Sequence, residues 1–234
     1  MQEEQLKLFD YIDAHCHAYE YSKDEIENLK NILLLSVSED LNSAIKSFEI
    51  KENYNILVFV GIHPWNIFKT KKEELEEIKK LVENADGIGE IGLDKNAKDF
   101  EKQLKIFEFF VMLAKEYSLP INLHCYNSFE ECYKILEKYE IERVNFHWFK
   151  DFEKVEILKE RNWFASFNIN IKFEKKHKIA LEKIDKNLIL TESDGPYKYR
   201  KILMHSFQIP EILKEIEKMK GKINVKKNFK KFFF

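Results

Sequence analysis

Apolar, strand-forming runs recur at even intervals along this chain, and charged stretches separate them. The eight runs cover residues 11–17, 31–37, 55–64, 87–93, 120–126, 143–149, 163–169 and 187–194. Residues 71–85 and 100–117, which lie between runs, repeat their apolar side chains with the period of a helix. Strands that alternate with helices in this way predict a parallel sheet.

Eight such repeats within 234 residues favour the α/β fold class and, within it, a closed (β/α)8 TIM barrel. We expect one domain over residues 1–234, with residues 1–10 as an N-terminal extension, because no linker or low-complexity segment interrupts the series. A doubly wound open sheet is the alternative. A doubly wound sheet is expected to carry a phosphate-binding glycine loop, and the chain has no GxGxxG motif.

Composition narrows the class of protein. Hydrophobic residues make up 44% of the chain and 20 residues are Phe, so a large core can be buried. The formal net charge of -2 argues against a protein that coats nucleic acid electrostatically. Three cysteines without regular spacing predict a reducing compartment and no disulfide framework. The chain has no apolar run of about 18 residues and no signal-peptide-like start, so we expect a cytoplasmic protein without membrane contact.

Histidines and carboxylates stand at the C-terminal ends of six of the eight runs. They are Asp13, His15 and His17 in the first, His63 in the third, Glu90 in the fourth, His124 in the fifth, His147 in the sixth, and Glu192 and Asp194 in the eighth. The C-terminal strand ends of a barrel converge on its active site, so these side chains are expected to meet. His177 and His205 lie in charged context and are predicted to be surface residues.

Each of these residues has a structural interpretation when it is taken alone. Glu90 could pair with a core lysine, Asp94 could cap a helix, and Asp194 could belong to a turn. Their conjunction favours a metal site, because so many polar groups are costly to bury unpaired. Four histidines and two carboxylates exceed the three protein ligands of one catalytic zinc, so the count indicates two divalent ions. Strand alternation points Cys16 and Cys125 away from the site.

The ordered motifs resemble those of the TatD family of metal-dependent hydrolases. They are DAHCH (13–17), GIHPW (61–65), GEIGLD (89–94), LPINLH (119–124), VNFHWF (144–149), ESDGPY (192–197) and INVKKNFKKFF (223–233). The resemblance runs from about residue 10 to the end of the chain. It implies a TIM barrel related to the amidohydrolases, and many members of the family are DNases.

The resemblance also implies roles for the site residues. His15, His17 and Asp194 would hold a first metal ion, and His124 and His147 would hold a second. Glu90 would bridge the two ions, and Asp194 would also accept a proton from the attacking water. His63 would contact the phosphate of the substrate. Independently of the resemblance, Asp13 and Glu192 share strand faces with neighbouring ligands, so we expect them to orient those ligands from behind, with a plain structural role as the alternative.

The chain departs from the family pattern at positions that are expected to bind the substrate. Many members carry an arginine where this chain has Tyr126, so Arg200, Lys198 or Lys150 would have to supply the phosphate-binding cation. Trp65, Trp148 and Tyr197 could stack on bases or pack at the rim. The HWF variant is similar to TatD-like proteins encoded within multi-gene bacterial anti-phage systems, which implies protein partners. The terminal KKNFKKFFF is predicted to be a helix that closes the barrel, with docking to a partner as the alternative.

The resulting functional expectation is a two-metal deoxyribonuclease that shortens single-stranded DNA ends in the 3′→5′ direction. Zn, Mg or Mn would suit the donor set. Two alternatives stay open at this point. One is an amide or ester hydrolase, such as a D-aminoacyl-tRNA deacylase-like enzyme. The other is a low-turnover subunit of a multi-protein defence complex.

Overall fold

Eight parallel strands in sequence order form the centre of the protein. The computed structural model describes residues 3–234; residues 1 and 2 of the expected N-terminal extension lie outside the described part. The strands are β1 (Tyr11–Cys16), β2 (Ile32–Val37), β3 (Ile56–Val60), β4 (Gly87–Asp94), β5 (Ile121–Tyr126), β6 (Val144–Phe146), β7 (Phe164–Phe167) and β8 (Ile189–Thr191). Each strand pairs in parallel with its successor. All eight predicted strands are therefore confirmed.

Hydrogen bonds between β8 and β1 close the ring. The hydroxyl of Thr191 donates to the carbonyl of Ile12 at 2.6 Å. Just beyond the strand, the N–H of Asp194 donates to the carbonyl of His15 at 2.9 Å. The eight strands thus form a TIM barrel, as predicted, and the first and last site-bearing segments lie side by side.

Helices follow the strands and cover the outside of the barrel. They are α1 (Lys23–Asn28), α2 (Leu41–Lys51), α3 (Pro64–Ile67), α4 (Lys72–Val82), α5 (Phe100–Glu116), α6 (Phe129–Lys138), α7 (Val155–Arg161), α8 (Lys175–Lys183), α9 (Ile209–Lys220) and α10 (Val225–Phe233). Short 3-10 turns occupy Glu3–Leu8, Ala18–Glu20, Ile169–Lys172, Lys186–Leu188 and Ser206–Gln208. An antiparallel hairpin, β9 (Tyr197–Tyr199) and β10 (Ile202–Met204), is inserted between β8 and α9. The predicted helices over 71–85 and 100–117 correspond to α4 and α5.

The strands β6 and β8 are much shorter than the apolar runs that predicted them. Beyond β6, Trp148 adopts a left-handed backbone conformation with φ of 43°, which ends the regular strand. Its N–H donates to the side chain of Glu192 at 2.7 Å instead of to a neighbouring strand. The ends of these runs therefore serve the site, since they leave the sheet to place polar side chains.

Helix α10 closes the barrel at the seam between β1 and β8. The rings of Phe229 and Phe232 are fully buried, and Phe232 stacks on Phe59 of β3 at 6.3 Å. The amide of Asn228 donates to the carbonyls of Lys186 and Ile189 at 2.8 Å each, which ties the helix to the start of β8. The terminal aromatic cluster therefore belongs to the core, as predicted, although Phe234 is 47% exposed.

The prediction that His177 and His205 lie on the surface is wrong. His177 is fully buried: its Nδ1 lies 2.8 Å from the carbonyl of Phe149, and its Nε2 accepts from the N–H of Asn168 at 3.3 Å. The lysines beside it in sequence are exposed, because neighbours in a helix point in different directions. His205 is also buried, with its ring stacked on Phe207 at 3.5 Å.

Burial of His177 makes the protein sensitive to acid. Burial lowers the pKa of its imidazole from 6.5 to about 3, so the folded protein resists a proton that the unfolded chain accepts. The free energy of unfolding is therefore expected to fall as the pH drops from 6.5 towards 3, by about 1.4 kcal/mol per pH unit for this group. In His177→Phe that contribution disappears. Urea unfolding at pH about 7, about 6 and about 5 should show a shallower loss for the variant than for the wild type.

Lys178→Ala, a change at the exposed neighbour, should keep the wild-type dependence on pH. An equal slope for His177→Phe and the wild type would contradict the assignment.

Candidate metal centre

The structure brings the predicted ligands together at the C-terminal mouth of the barrel. His15 lies in β1 and His17 directly follows it; Glu90 lies in β4 and His124 in β5. His147 and Asp194 follow β6 and β8. All six side chains are buried or largely buried. The C-terminal ends of parallel barrel strands converge on one mouth, so these side chains meet there although their strands are not all neighbours.

One group of donors surrounds Asp194. Its Oδ1 atom lies 3.3 Å from Nε2 of His15 and 3.4 Å from Nε2 of His17. All three ligand atoms lie within 4.8 Å of one another. These are the three residues that the resemblance to the TatD family implies for the first metal ion.

A second group surrounds Glu90. Its Oε1 atom lies 2.9 Å from Nδ1 of His124, 2.9 Å from Nε2 of His147 and 3.3 Å from Nε2 of His63. Its Oε2 atom points to the first group, 3.4 Å from Nε2 of His15. The two oxygens of one carboxylate thus face two different sets of imidazoles. His63, expected beside the metals, lies inside this second group.

Hydrogen bonds on the outer side of two imidazoles fix which nitrogen faces the site. Nδ1 of His15 lies 2.8 Å from Oδ1 of Asn122, whose amide nitrogen donates to the carbonyl of Ala14 at 2.7 Å. Asn122 must therefore accept the proton of His15, which leaves Nε2 as a lone-pair donor. Nε2 of His124 lies 3.3 Å from Oδ2 of Asp94, which frees its Nδ1 in the same way. Such outer contacts hold metal-binding histidines in place.

Sequence reasoning missed these roles of Asn122 and Asp94. Asp94 was considered only as a helix cap. Asn122 stands two residues before His124, so both lie on one face of β5, as Asp13 and His15 do on β1. That period of two was the signal that could have identified Asn122.

Asp13 and Glu192 hold backbone near the ligands. Oδ1 of Asp13 accepts from the N–H groups of Ser193 at 2.9 Å and His15 at 3.3 Å. Burial raises its pKa to about 6. Glu192 accepts from the N–H of Trp148 at 2.7 Å, and its Oε2 lies 3.8 Å from Nδ1 of His147. Burial raises the pKa of Glu192 to about 8.

The charges of the centre are unevenly distributed. Burial would raise the pKa of Asp194, but its close contacts with the imidazoles of His15 and His17 hold it below its usual range. Burial acts in the same direction on Glu90, but electrostatic interaction with the surrounding imidazoles, that of His63 first, outweighs it, so the pKa of Glu90 is also low. The pKa of His124 is raised to about 9: burial opposes this, and the hydrogen bond to Asp94 overcomes it. Burial lowers the pKa of His147 to about 4.

Divalent metal ions fit this donor set. Nε2 of His15 is buried without a hydrogen-bond partner, which is expensive unless an ion uses its lone pair. Nδ1 of His124 and Nε2 of His147 lie only 3.2 Å apart. Two donors each about 2.1 Å from one tetrahedral ion are separated by about 3.4 Å, close to the spacings in both groups.

The cations expected to bind substrate lie at the rim. Arg200 is exposed in the turn between β9 and β10, and its guanidinium packs over the ring of Tyr199 at 5.1 Å. Among the residues that the structure describes, Arg200 contacts Tyr199 and none of the candidate ligands. Lys150 pairs with Glu174 at 3.0 Å and lies over the ring of Trp148 at 4.2 Å. Lys198 and Tyr126 are both exposed.

Neither cysteine beside a ligand joins the donor groups. Cys16 is fully buried with its Sγ 3.5 Å from the carbonyl of Leu35, and Cys125 packs towards Ser128 at 3.9 Å. Within residues 3–234, the candidate metal-binding groups contain histidine and carboxylate only.

The barrel and its cluster of histidines and carboxylates define a metal-dependent hydrolase. The chain belongs to the TatD family: the family model described as TatD related DNase matches residues 12–233. One similar relative is an uncharacterized metal-dependent hydrolase of Haemophilus influenzae, which is 31% identical over 80% of this chain and 81% of the relative. Another, from Methanocaldococcus jannaschii, is 29% identical over 80% of this chain and 79% of the relative.

Solved structures share the fold. The TatD homologue YjjV of Escherichia coli has a TM-score of 0.82 at 19% identity, covering 95% of this chain and 94% of that chain. The phosphotriesterase homology protein of Escherichia coli, complexed with phosphate in its active site, has a TM-score of 0.68 at 13% identity, covering 96% of this chain and 98% of that chain. In the described part of this chain, no helix has the length and apolar character to cross a membrane.

Removal of the shared carboxylate should affect both groups of ligands. Glu90→Ala is expected to lose both metal ions, because the residue faces both sets of imidazoles. His147→Ala should lose only the ion of the second group. Metal content measured by mass spectrometry after dialysis tests both expectations. Glu174→Gln, a carboxylate change at the rim, is the matched control with full metal content. Full occupancy in Glu90→Ala would refute the bridging role.

The contact between Asn122 and His15 should matter for metal affinity. Asn122→Ala removes the acceptor of the His15 proton, so the imidazole can turn or change tautomer. We expect metal affinity to fall by about 10- to 100-fold. Competition with a fluorescent chelator measures it. Thermal unfolding of the metal-free protein provides the control, since a loss of fold would lower the melting temperature there as well. Unchanged affinity in a stable variant would argue against an orienting role.

Proposed function

We propose that this chain is a cytoplasmic two-metal deoxyribonuclease that removes nucleotides from single-stranded DNA ends in the 3′→5′ direction. The observation that carries the proposal is Glu90, whose two oxygens face two separate sets of imidazoles at the mouth of the barrel. Paired cations about 3.5–4 Å apart suit the in-line displacement of a phosphate ester. The description of the matching family model and the phosphate held by the structurally similar phosphotriesterase homology protein support the same substrate class.

The residues of the chain divide the work of hydrolysis. Bound divalent ions would lower the pKa of water and neutralise charge that develops on the phosphate. Asp194, ionised beside His15 and His17, is placed to take up the proton released by the attacking water. Glu90 keeps the two donor groups at a fixed separation. His63, at the Trp65 side of the second group, is placed to contact the phosphate or to serve as a further ligand.

The donor set bears on which metal is used. Imidazole nitrogen suits zinc, whereas carboxylate oxygen and water accept magnesium or manganese equally well. Five histidines and two carboxylates take part here, so we propose zinc for the histidine-rich second group. Mg²⁺ or Mn²⁺ remains a candidate for the first group.

The rim supplies few free positive charges for DNA. Lys150 is neutralised by Glu174, and Tyr126 offers no charge. We propose Arg200, exposed on the β9–β10 hairpin, as the residue that contacts a phosphate of the strand. The neutral Tyr126 also favours a second candidate, hydrolysis of an ester or amide such as an aminoacyl-tRNA, because the same donor groups can activate water towards a carbonyl. We also propose that the chain works beside protein partners from a multi-gene system.

A metal-dependent cleavage assay tests the proposed function. Single-stranded DNA labelled at either end is incubated with chelator-treated protein that has been reloaded with Mg²⁺, Mn²⁺ or Zn²⁺. Shortening from the 3′ end that requires metal, and that Glu90→Gln abolishes, is the expected result. Tyr126→Arg should lower the KM for DNA, because it adds a charge beside the site. If the protein binds metal stoichiometrically but does not cleave DNA, the nuclease proposal fails and an ester or amide becomes the proposed substrate.

A further inference from the structure

Exposed aromatic side chains border the mouth of the barrel. They lie at the last residue of β5 or in segments that follow the C-terminal ends of other barrel strands: Trp65, Phe68, Tyr126, Phe173, Tyr197 and Phe207. Single exposed rings are common on protein surfaces, so a ring is of interest here only where it is tied to the site. One of these residues, Trp65, is connected directly to the candidate ligands.

Trp65 is fixed by its polar edge. Its Nε1 donates to Oδ2 of Asp94 at 2.7 Å, and the same oxygen lies 3.3 Å from Nε2 of His124. Its backbone N–H donates to Nδ1 of His63 at 3.2 Å, and its ring meets the ring of His63 edge to face at 5.1 Å. The indole therefore lies against His63 of the second donor group and is linked to His124 through Asp94.

The ring itself remains available. Trp65 is 54% exposed, although its N–H and backbone are tied down. A side chain that served only to pack the rim would bury more of its apolar area. The hydrogen bond to Asp94 removes the rotational freedom that a ligand would otherwise have to restrict on binding, so the ring is ordered in advance.

We propose that Trp65 is a specificity-determining residue that stacks on the nucleobase next to the scissile phosphate. The inference rests on the proposed function, because it concerns the substrate of the same site. A flat aromatic surface beside the ligands matches a nucleobase, since every base offers a stacking face. Asp94 acts as a positioning residue here, because one of its oxygens faces both the indole and the ligand His124.

Steady-state kinetics on two matched strands test the proposal. One strand carries ordinary bases, and the other carries abasic residues at its 3′ end. Trp65→Leu should raise the KM for the ordinary strand by about tenfold or more, with kcat and metal content unchanged. It should leave the KM for the abasic strand as it is. Trp65→Phe, which keeps a ring, should retain most of the wild-type KM.

Phe68→Leu is the matched control. Phe68 is a similarly exposed ring at the end of the same short helix, α3. Its ring lies under the ammonium group of Lys98 and not against the donor groups. This variant should behave as the wild type on both strands. Equal KM values for Trp65→Leu and the wild type on the ordinary strand would overturn the proposal. So would an equal loss on both strands, which would indicate a merely structural role.

A binding measurement separates this proposal from the proposed function. If the wild type cleaves neither strand, the nuclease assignment fails, and the same strands are then titrated against metal-loaded protein. Quenching of tryptophan fluorescence by the ordinary strand alone, lost in Trp65→Leu, would support stacking without hydrolysis. The absence of quenching, or quenching that survives in Trp65→Leu, would overturn it.

Discussion

A single buried carboxylate, Glu90, holds the organisation of the site together. Its oxygens face imidazoles that arrive from four different strand segments. A buried charge of this kind is costly unless its neighbours compensate it, and the imidazoles can do so only if the barrel brings them into register. Closure of the ring between β8 and β1 is therefore as much a requirement of the chemistry as of the fold. An open sheet would leave His15 and Asp194 at opposite edges.

A second layer of contacts around this carboxylate sets the orientation of several of the imidazoles. Asn122 and Asp94 occupy the outer nitrogens of His15 and His124, and Glu192 holds the backbone next to His147. Short strands are the structural cost of this arrangement. Just beyond β6 the N–H of Trp148, and just beyond β8 the N–H of Ser193, bond to carboxylates of the site instead of to neighbouring strands.

Hydrophobic periodicity was sufficient to predict the strands, their order and the barrel, because alternating apolar runs and amphipathic segments have few other ways to pack. It also predicted which polar residues would meet, since parallel strands end at one mouth. It could not predict the burial of His177, whose charged sequence neighbours face water while it does not. Nor could it predict the shared contact of Asp94, because that contact depends on where Trp65 lies across a loop.

The seam beneath α10 has a consequence for synthesis on the ribosome. This helix packs where β1 meets β8, and Asn228 ties it to the carbonyls that open β8. The two strands that it joins lie far apart in the chain, so the nascent polypeptide exposes His15 and His17 long before Asp194 exists. Contacts between such distant segments form late in folding. The first donor group therefore cannot be complete until Asp194 has been translated, and until then His15 and His17 are metal-binding side chains without their carboxylate partner.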